Sequence, residues 1–258
     1  MFGQGVVHRV RTGVCAVGYL TVPWAEYVKD IGRPFFKVVG TGFLVRDSTV
    51  ITNKHVIEGL QSIQRDLGFT DAQRLLYFVY PQAVGSWQTA LAGILFWTYP
   101  GSKYPDIGLI EFQRPPNAEF EQCKPLHVGD FASLVVGHPV AAMGYAHGEQ
   151  LLTKDQRVYR FGPVLQQGYV SAISPFDQAG KVDEILLDLR VAPGLSGSPV
   201  FWPGDGSVIG MIEASTPETA VAIAHPLSST TIQQYLAAHE EALAAARTAA
   251  APSSPPPS

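Results

Sequence analysis

Cysteine is scarce in this chain, with only Cys15 and Cys123 among 258 residues. Two thiols cannot make a disulfide framework, and no CxxC, HExxH or other zinc spacing accompanies them. The expected state is a pair of unbonded thiols buried as small apolar groups, with a single bridge between them as the other reading. Charge is sparse as well: 16% of the residues are Asp, Glu, Lys or Arg, and the net charge is -4. That leaves no basic surface for nucleic acid or anionic lipid, so neither is an expected partner. Nor does any stretch approach the roughly 20 apolar residues of a membrane-spanning helix. Near the N-terminus Arg9 and Arg11 precede VCAVGYL, but Thr21, Pro23 and Glu26 interrupt that run and no small-residue cleavage pattern follows. The segment reads as the first strand of a cytoplasmic protein.

What is present is apolar and strand-like. Hydrophobic residues make up 46% of the chain, enough for a sizeable core. About a dozen short runs rich in β-branched and aromatic residues, among them FFKVVGTGFLV, TVITNKHV, DIGLIEF, ASLVVG, SVIGMIEA and AVAIAHP, alternate with Gly, Pro, Asp or Ser. Evenly spaced short strands argue for antiparallel barrels or sandwiches. RDS and PGDGS read as tight turns between strands. Two helices are expected, one over HVIEGLQSIQRDLG and one over SSTTIQQYLAAHEEALAAAR, the second capped by Thr230 or Thr231 with Ile232, Tyr235, Leu236 and Leu243 on one face. The polar, proline-rich EFQRPPNAEFEQCKP divides the chain into halves, 1–118 and 119–247, and TAAAPSSPPPS, 248–258, has the composition of a disordered tail.

The second half contains VAPGLSGSPVFW, in which Ser196 has Gly194 two residues before it and Gly197 directly after it. A tight bend is being built around a hydroxyl. Serine is a poor nucleophile, so acyl transfer from it requires a base, an acid to orient that base, and donors for an oxyanion. TVITNKHVIEG offers His55 at a strand end, and YPDIGLIEF offers Asp106 at the start of an apolar strand, with Asp130 and Asp188 as fallback acids. The other histidines, His8, His127, His138, His147 and His239, match no motif and are expected at the surface.

The order His, Asp, Ser, together with TxxHV, DIGL and GxSGxP, resembles the chymotrypsin-like (trypsin-like) serine peptidases, in the bacterial form without disulfides or activation peptide. The resemblance implies an all-β fold of two six-stranded antiparallel barrels with a C-terminal helix, and a serine endopeptidase that acts on protein or peptide substrates without metal or cofactor. Carried onto this chain, it makes Ser196 the nucleophile, His55 the base and Asp106 the group that orients it, with the Gly194 and Ser196 N–H groups facing the oxyanion. Ala214 and Ser215 would pair with the substrate backbone as an added strand. Arg190 and His225 are candidates for accepting an acidic side chain in the specificity pocket, or are packing and surface groups.

Three departures matter. Leu195 stands where the secreted animal enzymes carry an acid that pairs with a newly freed N-terminus, so activity is expected to be constitutive or controlled by a regulatory protein partner. Ser198 replaces a more usual glycine. Glu213 falls where a small polar residue commonly adjoins the catalytic acid, and a second carboxylate there must be protonated or turned away. The rival readings are a silent protease-fold module that binds peptides or a partner, and an esterase on the same fold.

Overall fold

Short apolar strands closed by turns produce two barrels in the computed structural model, which describes residues 2–29, 36–83, 86–100, 106–116, 118–146, 153–154, 157–158, 162–176, 182–215 and 221–250. The first barrel contains β1 (Val14–Leu20), β2 (Phe36–Arg46), β3 (Thr49–Thr52), β4 (Arg74–Ala83), β5 (Ser86–Thr98) and β6 (Gly108–Phe112), closed in the order β1-β2-β3-β6-β5-β4. The second contains β7 (Pro139–Gly144), β10 (Val164–Ser174), β11 (Glu184–Leu187), β12 (Pro199–Phe201), β13 (Val208–Ser215) and β14 (Ala222–Pro226), closed as β10-β11-β14-β13-β12-β7. Counted in chain order within each barrel, the two cyclic orders are the same. Every pairing within them is antiparallel, and closure leaves neither barrel with a free edge along its full length. β8 (Thr153–Lys154) and β9 (Arg157–Val158) form a separate pair.

Three apolar clusters follow from the period-2 alternation of these strands. Cys15, Val17, Leu44, Val50, Phe78 and Ile110 belong to a cluster that fills the first barrel, and Val140, Val170, Ile185, Val200, Ile212 and Ala224 belong to one that fills the second. The opposite faces of both barrels, including Ala16, Phe43, Ile51 and Leu109 from one and Met143, Phe201, Val208 and Met211 from the other, share a third cluster. The barrels are thus joined by a common core.

Both ends of the described chain cross over. Helix α1 (Val6–Gly13) buries Val6 and Val10, and the Gly3 N–H bonds the Pro203 carbonyl of the second half at 3.0 Å. The sequence predicts only a strand here; Val6 and Val10, four apart, instead share one helical face against the common core. A single turn of helix, α2 (Trp24–Tyr27), and the longer α3 (Lys54–Leu67) follow. α4 (Ser229–Ala250) leaves the second barrel and packs on β5 and β6 of the first. Its cap is Ser228 rather than Thr230 or Thr231: the Ser228 Oγ accepts the Thr231 N–H at 3.2 Å. The helix continues past Arg247 to Ala250, and the rest of the predicted tail lies outside the described residues.

Two further expectations fail on local grounds. ASLVVG is not a strand: Leu134 and His138 donate their N–H groups to Phe131 and Val135 in successive turns, Gly137 has φ 87°, and Val135 and Val136 are exposed. His239 is not at the surface, being 2% exposed on the packed face of α4 beside Ile232, Tyr235 and Leu236, with Nδ1 2.7 Å from Thr98 Oγ1. Cys15 and Cys123 are free and buried; burial raises the pKa of both thiols, that of Cys123 to about 12. No described helix is long and apolar enough to cross a membrane.

Candidate active site

His55 is set by the junction between β3 and α3. The strand ends at Thr52, Asn53 precedes the helix, and His55 is the second helical residue rather than a loop residue at a strand end. The β3–β6 register pairs Thr52 with Gly108, which brings Asp106 beside the first turn of α3. A side chain at Gly108 would run into Ile57, so glycine there lets the helix sit close against β6.

Asp106 then serves the helix and the imidazole together. Its carbonyl accepts the Lys54 N–H and the Asn53 side-chain amide, each at 3.1 Å, while Oδ1 accepts the His55 N–H at 2.7 Å. Oδ2 bonds His55 Nδ1. A carboxylate at a helix N-terminus satisfies orphan N–H groups and is favoured by the helix dipole. With Asp106 ionised, Nδ1 carries the proton and Nε2 is left with its lone pair. The Asp106 hydrogen bond, opposed by burial and aided by the charges of Asp106, Glu213 and Glu58, raises the His55 pKa above its ordinary value. Asn53, fully buried, is a part of this junction that sequence reasoning missed; its place two residues before the histidine is the only signal it gives.

Ser196 lies in the second of two consecutive turns. Leu195 N–H bonds Ala192 O at 3.1 Å, and Ser198 N–H bonds Leu195 O at 2.9 Å. The third residue of each turn is a glycine with positive φ, Gly194 at 92° and Gly197 at 88°, and Pro193 supplies the second position of the first. That is the residue pattern of type II turns. A Cβ on Gly197 would also collide with the Thr41 carbonyl oxygen. Of the five amides from Gly194 to Ser198, those of Leu195, Gly197 and Ser198 bond backbone carbonyls, whereas among the described residues those of Gly194 and Ser196 bond none.

The serine turn and helix α3, which carries His55, belong to different halves of the chain, and both lie against Gly40 of β2. A Cβ there would touch both the Val56 side chain, next to His55, and the Ser196 carbonyl oxygen. In this conformation the Ser196 hydroxyl donates to the Glu213 carbonyl at 3.4 Å and not to His55. Glu213 is the extra residue of a β-bulge, since Ile212 pairs with Ala224 and Ala214 with Ile223. Such bulges re-aim side chains next to functional sites. Burial first, then the Asp106 and Glu184 carboxylates, push the Glu213 pKa up, against the opposing pull of His55.

The remaining candidates are less concentrated. Ala214 and Ser215 extend β13 beyond its pairing with β12, which ends at Met211, so that edge has no neighbouring strand among the described residues. His225 lies on β14 opposite Met211, and burial lowers its pKa despite Asp106 and Asp183. Arg190 is exposed, its N–H bonding Gln166 Oε1 at 3.1 Å, and no hydrogen bond or ion pair joins it to His225. The fallback acids are engaged elsewhere: Asp130 with the Ala132 N–H, Asp188 with the Tyr169 N–H. Among the described residues no cluster of three His, Cys, Asp or Glu side chains is arranged to hold a metal ion.

Solved structures share the architecture at low identity. Deg5 is 19% identical with a TM-score of 0.53, covering 86% of this chain and 87% of its own. The HtrA-type protease AlgW with a decapeptide is 15% identical with a TM-score of 0.55, covering 92% and 67%. The inactive form of the Rv3671c protease, which comes from M. tuberculosis H37Rv, is 17% identical with a TM-score of 0.52, covering 90% and 91%. These likenesses speak for the fold alone. No curated protein sequence matches. The model of the trypsin-like peptidase domain matches residues 40–211, a span that includes His55, Asp106 and Ser196. With that match over most of its length and two six-stranded barrels to carry it, the chain belongs to the trypsin-like peptidase family of serine proteases.

Proposed function

We propose that the protein is an endopeptidase that cleaves polypeptides through an acyl-enzyme on Ser196. In this reading the Ser196 Oγ attacks the scissile carbonyl carbon while its proton passes to His55 Nε2. The tetrahedral intermediate collapses, the C–N bond breaks, and the leaving amine takes the proton from Nε2. Water repeats the sequence in reverse roles to release the carboxylate. Asp106 keeps the imidazole in the Nδ1–H tautomer and offsets its charge when protonated. The Gly194 and Ser196 N–H groups stabilise the oxyanion, each donor being worth about 3 kcal/mol of barrier in enzymes of this chemistry.

One observation carries the reading: the two amides of the serine turn that bond no backbone carbonyl among the described residues are the two that the mechanism requires as donors. Ala214 and Ser215 of β13 offer an extended peptide an edge that has no neighbouring strand among the described residues. A negative charge in the first specificity pocket is the weaker part of the proposal, since His225 is held toward neutrality and Arg190 stands apart from it. The free, buried thiols of Cys15 and Cys123 fit a reducing compartment and hence a restricted intracellular substrate. A boundary between the halves at 118/119 fits the stretch without a barrel strand from Phe112 to Pro139.

The hydroxyl's bond to Glu213 favours the alternative, a silent peptide-binding module. Catalytic hydrogen bonds are often formed only with substrate in place, however. Mapping new N-termini in a proteome treated with the protein or with Ser196→Ala distinguishes the two. Cleavage sites present only with the unaltered protein are expected; identical maps would favour binding without hydrolysis.

A further inference from the structure

We propose that Thr41, a residue of the first barrel, is a positioning residue for the oxyanion-binding turn of the second. The proposal rests on the oxyanion role assigned above to Gly194 and Ser196. Thr41 lies on β2, is fully buried, and uses every polar atom it has. Its N–H bonds the Ser196 carbonyl at 2.8 Å, and its Oγ1 donates to the Gly194 carbonyl at 2.6 Å. The same Oγ1 accepts the Tyr145 N–H at 2.9 Å, and the Thr41 carbonyl accepts Thr52 Oγ1 at 2.6 Å.

The two carbonyls it holds alternate along the turn with the two amides that would meet an oxyanion. The Gly194 carbonyl belongs to the 194–195 peptide and the Ser196 carbonyl to the 196–197 peptide, while the donors belong to the peptides just before each. Gly194 has φ 92° and no side chain, so nothing within the residue fixes its ψ. The hydroxyl of Thr41 fixes the far side of that torsion, and with it the relative aim of the two N–H groups. Tyr145 directly follows β7, so its N–H anchors the hydroxyl to the second barrel and leaves the O–H hydrogen pointing at Gly194. Branching at Cβ restricts χ1 and keeps the hydroxyl in that direction. Thr41 touches neither His55 nor the substrate edge of β13 in any hydrogen bond, so its effect is on the turn alone.

The test is the rate at which a fluorophosphonate reacts with Ser196, read with its stoichiometry across pH for the unaltered protein, Thr41→Val, Thr41→Ala and Thr41→Ser. A misfolded fraction lowers the amount labelled, whereas a misaimed turn lowers the rate constant of whatever is labelled. The valine and alanine variants are expected to react about tenfold more slowly, as for a lost buried hydrogen bond, with the His55 limb of the pH profile unmoved. The serine variant, which restores the hydroxyl, should recover most of the rate. Valine and alanine variants that react as fast as the unaltered protein would overturn the proposal, as would a serine variant no faster than they are. An unaltered protein that fails to react, by contrast, removes the oxyanion assignment itself and this proposal with it.

Discussion

Glu213 is the residue at which this site departs most from an ordinary serine protease arrangement. Its backbone holds the Ser196 hydroxyl, and its carboxylate adds negative charge beside the Asp106–His55 pair. In the proposed mechanism deprotonated His55 is the active form, so the acid limb of the reaction follows its pKa, which the Asp106 hydrogen bond chiefly raises and the Glu213 charge raises further. Replacing Glu213 by Gln removes that charge and stabilises imidazolium less. The acid limb of the rate of Ser196 phosphonylation should therefore move to lower pH in E213Q; a limb that stays put or moves up would show that Glu213 does not act on His55. Much at this scale was legible. Three motifs single out His55, Asp106 and Ser196, and the structure joins the first two by hydrogen bonds; Glu213, marked as a second carboxylate near Asp106, has its pKa raised by burial and by Asp106. Thr41 and Asn53 were not legible because their contribution is a hydrogen bond to a partner remote in sequence, which no residue type announces.

At the scale of elements, the serine turn is shaped by what its glycines allow. A methyl at Gly197 must adopt φ 88° and overlap the Thr41 carbonyl. Gly197→Ala is expected to destabilise the fold by more than about 1 kcal/mol and to abolish reaction at Ser196. Gly162→Ala is the control, since a Cβ there meets nothing within 4 Å among the described residues; equal urea midpoints for the two variants would contradict the account. The strands were read correctly where alternation coincided with closed-barrel pairing. ASLVVG was misread because its apolar residues satisfy composition but not hydrogen bonding: its amides turn back on residues three before them. The N-terminal helix was missed because two valines four apart inside a short segment are a weak period, and only the common core gives them a face to cover. For a similar reason His239 is misplaced: the helix and the barrels are expected from the sequence, but not that the helix leaves the second barrel to dock on β5 and β6 of the first.

Over the whole molecule, the two barrels repeat one cyclic strand order without any repeat in sequence, and the proposed active site lies at the seam between them. The seam is closed in three ways. The apolar cluster shared by both barrels spans it, α1 and α4 each cross to the other half, and the Thr41 N–H binds the Ser196 carbonyl directly. His239, buried on α4, lies 3.7 Å from Glu111 of β6, and Arg46 of β2 pairs with Glu240. Leu195, in place of an acid that would pair with a freed N-terminus, is 1% exposed. The turn is therefore held by packing and hydrogen bonds already present in this chain, and under the proposed function it needs no freed N-terminus to hold it. The most direct measurement is active-site titration of the purified, uncleaved protein with a fluorophosphonate, the labelled residue being identified by mass spectrometry. The account predicts one label per chain at Ser196, absent in Ser196→Ala and greatly slowed in His55→Ala. A folded protein that takes up no label, or takes it up equally well without His55, would contradict it.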